Sequence, residues 1–241
     1  LLRKGFFASP GHKLITADYS QVELRILAHF SNDEIMLDTF KKDLDIHRQT
    51  ASEIFNISLD AVTAVERSSA KAINFGLMYG QSSFGLSKQL GISRKEAKEY
   101  ITFYFERFHK VKSYLDSLKE ICEEKGYAET MHGRKRFLPD INSTNRTIKA
   151  IAERVAINSP IQGTAADIIK IAMGNIDKRL SVEKLQSKMI LQVHDELIFD
   201  VPEAEIQMME ELITNEMENA VKLQIHLKVD SGIGENWYDL K

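Results

Sequence analysis

Cysteine is almost missing from this chain: Cys122 is the only one in 241 residues, which excludes an internal disulfide and a multi-cysteine zinc site. An intracellular setting fits that scarcity. Charges break every apolar run well short of the roughly 20 residues that a membrane span needs, so no membrane partner is expected. The opening Leu1-Leu2-Arg3-Lys4-Gly5 lacks the apolar core of a secretory signal. It also lacks an initiating Met, and the expectation is an excised C-terminal portion of a longer protein. There is no internal repeat or low-complexity tract. A basic excess is absent too, since 32 Lys and Arg face 35 Asp and Glu for a formal charge of −3. Taken alone, that balance argues against a general nucleic-acid binder, which needs clustered cations to neutralise a phosphate backbone. A site that collects carboxylates can offset a basic groove elsewhere, however, so distribution matters more than the sum. What is present, 43% hydrophobic and 28% charged residues, suits a folded chain of one large domain or two modest ones.

Residues 14–19 read as a short buried strand, and from 21 to 29 the apolar spacing becomes helical, so Asp18 lies at a strand end. Further helices are expected over 32–40, from Asp45 to Phe55, and after Ser58, a candidate N-cap for a helix holding Val62 and Val65. The segment 66–79 has few breakers before Gly76 and Gly80. Ser93 with Glu96 makes a capping box ahead of a long amphipathic helix running towards Cys122. Residues 126–130 and 136–138 read as strands flanking a turn at His132-Gly133. Helical spacing returns over 147–155 and again over 164–180, beyond an interruption at Pro160-Ile161-Gln162-Gly163. Strands over 188–192 and 196–201 meet at His194-Asp195, a β-turn-β arrangement with an acid at its tip. A helix over 204–221 and a strand around 225–229 follow. The pattern predicts an α+β fold in which a helical subdomain is inserted between two segments of one α+β unit.

Insertion would let Asp18 and Asp195, far apart in sequence, share a site. Both carboxylates adjoin apolar residues that anchor their backbones, and hard oxygen ligands suit magnesium, which is often held by one or two carboxylates plus substrate phosphates. Turn formation or capping is the plainer role for either Asp alone. Glu23 is open between a pocket residue and a solvated helix residue, and Glu196, alternating with Asp195 along the strand, is a candidate to support the metal acids from behind. Arg67, Lys71, Phe75 and Tyr79 recur every four residues, which makes a stripe along one side of a helix. Its cations suit phosphate and its aromatics suit a sugar and base, with the stronger role for Lys71, since a point cation near reacting phosphates can stabilise charge developing in the transition state. A surface helix with two solvated cations and two core aromatics is the alternative. Arg134, Lys135 and Arg136 beside the turn, Arg146 and Lys149, and the stripe of Arg154, Asn158 and Gln162 offer phosphate and minor-groove contacts, against a solvated face as the alternative. His47 is open between phosphate contact and local capping; His194 adjoins the metal candidate.

These segments carry a resemblance. Asp18-Tyr19-Ser20-Gln21-Val22-Glu23-Leu24-Arg25 resembles motif A of family A DNA polymerases, the group of bacterial DNA polymerase I. The run from Arg67 through Lys71, Phe75 and Tyr79 to Gly80 resembles their motif B, and Gln192-Val193-His194-Asp195-Glu196 their motif C. The order and the ending Gly234-Glu235-Asn236-Trp237 agree, and the likeness covers essentially the whole chain. Val22, where isoleucine is common, is a conservative departure.

The resemblance implies a polymerase palm with an antiparallel sheet and a mainly helical fingers insertion: 1–30 as the first palm segment, 31–147 as fingers and 148–241 as the second palm segment. It implies template-directed DNA synthesis, with primer-template DNA and deoxynucleoside triphosphates as partners and two Mg2+ ions held by Asp18, Asp195 and the backbone of Tyr19. Lys71 is implied as catalytic. Tyr19, Gln21, Glu23, His47, Arg67, Phe75 and Tyr79 are implied nucleotide contacts, with Glu23 as the steric gate against ribose. Arg134, Arg136, Arg154, Asn158, Gln162 and His194 are implied primer-template contacts, and Glu196 a supporting acid. The thumb and the remaining palm are expected in the parent polymerase, a monomer in the bacterial cytoplasm on nucleoid DNA. RNA synthesis, as in single-subunit phage RNA polymerases, is the same-class rival. A catalytically incomplete nucleotide- or DNA-binding fragment is the other rival, and a two-metal nuclease would leave the stripe without a clear purpose.

Overall fold

Strand β1 (His12–Tyr19) buries Leu14, Ile15 and Ala17 completely, so consecutive side chains on opposite faces both need cover and the strand belongs inside a sheet. The computed structural model describes residues 2–240 and gives it that place. With β4 (Lys188–Val193), β5 (Glu196–Pro202) and β6 (Val229–Gly234) it forms a sheet of order β4-β5-β1-β6, every neighbour antiparallel. β5 is buried along most of its length, whereas the edge strand β4 alternates between exposed and half-buried residues. Helix α9 (Ile206–Glu218) packs on β1, β5 and β6. The Tyr19 hydroxyl donates to the Met217 carbonyl at 2.7 Å, which marks the face of Ile15, Ala17 and Tyr19 as the one under α9. The opposite face carries Leu14, Ile198 and Trp237 in a second apolar cluster.

The sheet and α9 belong to one compact unit, Leu1–Val22 with Ala165–Lys241; the other is Glu23–Thr164. The divisions fall within α1 (Val22–Ser31) and α8 (Arg146–Glu183), while the resemblance put palm and fingers boundaries after 30 and 147. Positions 1 and 241 of those ranges lie outside the described residues.

The second unit is mainly helical: α2 (Glu34–Lys41), α3 (Ile46–Phe55), α4 (Ala64–Met78), α5 (Ser83–Leu90), α6 (Arg94–Arg107) and α7 (His109–Lys125), then a hairpin of β2 (Tyr127–Glu129) and β3 (Lys135–Phe137). Its helices start where short polar side chains meet orphan backbone donors: Asp33, Asp45 and Ser93 each accept from the first turn that follows. Gly80, at φ 68, takes the left-handed turn that ends α4.

Five local expectations change. Ser58 makes no side-chain cap and precedes only a 3-10 turn at Leu59–Ala61; Thr63, in a capping box with Glu66, starts α4 instead. The helix expected after Ser93 is two, broken at Phe108, whose ψ of 58 leaves helical geometry while its ring packs 4.8 Å from Tyr104 in the core. The interruption at Pro160 does not break α8. Proline removes one helical donor, but Ala156 and Ile157 before it and Ile161 and Ile168 after it all bury their side chains, which offsets one lost bond. The last strand begins at Val229, because Ile225 and Leu227 are buried from an irregular segment and imitate strand alternation. Helix α5, capped by Ser82 and closed by Gly91 at φ 68, had not been expected. Among the described residues, no helix is long and apolar enough to cross a membrane.

The capping assignment predicts that Thr63→Ala destabilises the fold by about 1 kcal/mol. Ser58→Ala, by the same logic, changes stability by less than about 0.5 kcal/mol. Urea denaturation of the two variants side by side checks this, and equal losses would contradict the placement of the cap.

Candidate functional site

In the sheet unit, Asp18 is the second-last residue of β1 and Asp195 occupies the two-residue turn between β4 and β5. That turn is tight enough to put His194 at φ 56. The Tyr19 amide donates to the Asp195 carbonyl at 3.3 Å, so the two acidic segments meet at one end of the sheet. Asp18 is also directly opposite Glu196 on β5 and Asp230 on β6. Directly opposed residues of antiparallel strands share a face, so these three carboxyl groups lie on the face away from α9. Glu196 has its own support: it is buried and accepts from the Trp237 indole N–H at 3.3 Å. Trp237 is held in turn by the Arg3 guanidinium 4.4 Å over its ring and by Phe6 edge-on at 5.5 Å. Gln21, at φ 54, makes the turn out of β1, and the exposed His194 offers its carbonyl to Gln192 at 3.1 Å. Burial pushes the Tyr19 phenol well above its usual range, reinforced by Glu218, so it stays a neutral donor to α9.

In the helical unit, the four-residue stripe is realised along α4 and its C-cap, Tyr79. The Phe75 ring lies 5.8 Å from His47 and 6.2 Å from Tyr79, which makes a row of three rings. The Tyr79 hydroxyl makes a short hydrogen bond to the Glu23 carboxylate, so the α1 acid and the end of α4 are tied together. Lys71 is exposed. Arg67 donates through Nε to Asp45 at 2.5 Å, and Asp45 simultaneously caps α3 by accepting from the His47 and Arg48 amides. Burial works against that carboxyl, but the Arg67 bond and the cap bonds hold it below the usual carboxylate range.

His47 is buried between these groups. Burial pushes its imidazole down to about 4, with Asp45 opposing and Arg67 and Lys71 reinforcing, so it is neutral near pH 7. It is hydrogen-bonded to Asn74 at 3.1 Å, and Asn74 to Thr50 at 2.9 Å. Thr50, Asn74 and the cap at Asp45 escaped sequence reasoning. Asp45 carried a signal, an Asp just before an apolar helix, whereas a buried amide network has none.

A separate group gathers at the β2–β3 hairpin. Arg134 donates to the Gly163 carbonyl at 2.8 Å, and Arg136 reaches the Ser159 hydroxyl at 3.5 Å. With Lys135 and Gln162 they line an open cleft of about 290 Å3. Arg154 packs beside Gly80, where a Cβ would come within 3.2 Å of its side chain. Asn158 keeps its side-chain oxygen buried with no hydrogen-bond partner. Among the described residues, no group of three or more His, Cys, Asp or Glu is disposed to hold a metal by itself. The donors that could contribute are the Asp18 and Asp195 carboxylates and the Tyr19 carbonyl, a hard-oxygen set too small to close a coordination shell.

Residues 1–239 match the family model described as DNA polymerase family A. The chain is similar to DNA polymerase I of Caldicellulosiruptor bescii, 51% identical over 241 residues, which are 100% of this chain and 28% of that protein. The likeness to DNA polymerase I of Geobacillus stearothermophilus is 48% over 241 residues, again 100% and 28%. Among solved structures it is similar to the POL domain of Pol1 from M. smegmatis in complex with DNA primer-template and dNTP. That match has TM-score 0.96 and 44% identity, and covers 99% of this chain and 42% of the other. The chain thus spans a little over a quarter of the length of these curated relatives.

The depressed imidazole has a consequence for stability. A group whose folded value lies below its unfolded one, here about 4 against 6.5, binds fewer protons when folded, so acidification through that window favours unfolding. His47→Asn is therefore expected to flatten the stability profile between pH 6.5 and 4, by on the order of 3 kcal/mol at most. Denaturant titrations of both proteins across that range measure it, and parallel profiles would refute the buried neutral histidine.

Proposed function

The chain belongs to DNA polymerase family A, and we propose that it forms the fingers and palm of a DNA-directed DNA polymerase. In this reading the protein transfers a deoxynucleotide to a primer 3′-hydroxyl under the direction of a template, with release of pyrophosphate. One observation carries it: the pairing that joins the end of β1 to the β4–β5 turn, bringing the Asp18 and Asp195 segments together. Residues 1–30 and 148–241 are assigned to the palm and 31–147 to the fingers, with the thumb and remaining palm in the parent protein. Primer-template DNA and deoxynucleoside triphosphates are the proposed partners, in the cytoplasm and on nucleoid DNA. The M. smegmatis domain, whose complex holds both ligands, supports that choice.

Asp18, Asp195 and the Tyr19 carbonyl are the proposed Mg2+ ligands, and their small number suits an ion that keeps substrate phosphates in its shell. Magnesium bound there would supply activation of the attacking hydroxyl and neutralisation of charge on the phosphates. Lys71 adds a point cation to the pyrophosphate side, where negative charge grows in the transition state. Arg67 and His47 grip the same phosphates, and Arg67 must exchange its Asp45 bond to do so. Phe75 and Tyr79 provide aromatic faces for sugar and base, a contact worth about 1 to 3 kcal/mol per base that tolerates any of the four bases. Glu23, restrained by Tyr79, is the gate against a ribose 2′-hydroxyl, and Gln21 completes the nucleotide contacts. Glu196, restrained by Trp237, supports the metal acids. Arg134, Arg136, Arg154, Asn158, Gln162 and His194 are assigned to the primer-template.

In the full-length protein, Asp18→Asn and Asp195→Asn should each lower the incorporation rate by on the order of a thousandfold while primer-template affinity changes little. Single-turnover primer extension beside a DNA-binding titration decides, and a normal rate in either variant would reject the metal assignment. Glu23→Ala should raise incorporation of ribonucleotides relative to deoxynucleotides; unchanged discrimination would remove the gate. Extension by the 241-residue chain and by its full-length parent then separates an autonomous catalytic unit from one that needs the thumb.

A further inference from the structure

We propose that Asn74 and Thr50 are positioning residues that lock His47 in the neutral tautomer with its proton on Nε2, making the imidazole a fixed, uncharged donor. What that donor meets, an anionic oxygen of the nucleotide triphosphate, rests on the function proposed above. The lock itself rests on hydrogen-bond direction alone.

Direction is set from the Thr50 end. Its hydroxyl has one proton, and its strongest acceptor is the Ile46 carbonyl at 2.8 Å, the preceding turn of α3. The Ile46 carbonyl is nearer to that hydroxyl than Asn74 Oδ1 at 3.2 Å, so the proton goes to Ile46 and Thr50 Oγ1 accepts from the nearer amide atom, Nδ2, 2.9 Å away. The same nitrogen lies 3.1 Å from His47 Nδ1. An amide nitrogen only donates, so Nδ1 must be a bare acceptor and the proton of the neutral ring belongs to Nε2. The amide oxygen lies farther off, 3.2 Å from the same Thr50 oxygen, and turning the amide over would bring that oxygen to the 2.9 Å place and set it against His47 Nδ1. All three side chains are buried, with exposures of 2% for His47, 1% for Asn74 and 0% for Thr50, so water is a poor substitute for any of these bonds.

The charged groups around the ring are Asp45 at the start of α3 and Arg67 and Lys71 on α4. The two cations and burial oppose an imidazolium, and the Asn74 donor opposes it further, because a protonated Nδ1 would face an N–H. A phosphate grip built in this way does not change charge across neutral pH. It differs in kind from Arg67 and Lys71, which supply charge, and it costs no proton uptake when a nucleotide arrives.

The test uses the full-length protein with 15N-labelled histidine, His47→Gln assigning the signal. Two-bond 1H–15N couplings in the nucleotide-free wild type should report a proton on Nε2 and none on Nδ1 at pH 7. A proton on Nδ1 would overturn the lock, and this measurement needs no variant to fold. Asn74→Asp replaces the donor by an acceptor, so it should move the proton to Nδ1 and raise KM for the nucleotide roughly tenfold, with kcat changed less. Its KM should also vary with pH between 6 and 8 while the wild-type value stays flat. Thr50→Val should give the same shift in weaker form. An unaltered tautomer in Asn74→Asp would again sink the lock. An Nε2 proton combined with an unchanged nucleotide KM in His47→Gln would instead overturn the phosphate role and leave the lock standing.

Discussion

Strand β1 is hydrogen-bonded on both sides, to β5 and to β6, and the geometry of the candidate metal acids depends on that pairing. Register in an antiparallel sheet is all or nothing: a slip by one residue would carry Leu14 and Ile198 out of their cluster and turn Asp18 under α9. The apolar residues therefore hold the polar ones in place. Ile15, Ala17 and Tyr19 are committed to α9, so their neighbours Leu14, Thr16 and Asp18 have no choice of face. The sheet also explains how a stretch near the beginning of the chain and one near its end come to share backbone hydrogen bonds.

The helical unit reaches comparable precision by another route. There the polar groups are themselves buried and tied in series, from the Ile46 carbonyl through Thr50 and Asn74 to His47. Each partner satisfies the next, which is what makes burial of such groups tolerable. Asp45 serves two purposes in the same few residues, capping α3 and holding Arg67. Both partners of that ion pair are only partly buried, so the guanidinium keeps access to other acceptors.

Much of the architecture was legible from pattern. Strands β4 and β5 with their acidic turn, the capping box at Ser93, the β2–β3 hairpin and the α4 stripe all follow from periodicity and end signals that act over a few residues. Most of the failures come from burial that local pattern does not report. The cap is an exception: Thr63 has Glu66 three residues on where Ser58 has Ala61, a local capping-box signal that by itself favours Thr63 over Ser58. Phe108 breaks a helix because its ring is wanted in the core, Pro160 fails to break one because its flanks are well buried, and Ile225 and Leu227 imitate a strand because both are buried from an irregular segment.

By itself the sequence determined the family and the α+β class, and singled out the carboxylates, cations and aromatics proposed for the site, because long motifs and local periodicity are properties of residues close together in the chain. The tertiary structure alone decided which groups are tied to which: Asp18 opposite Glu196 and Asp230, Trp237 on Glu196, Arg67 on Asp45, Tyr79 on Glu23, and Asn74 between Thr50 and His47. Those partnerships depend on register and on burial, and both are set by contacts between residues that the chain itself keeps far apart.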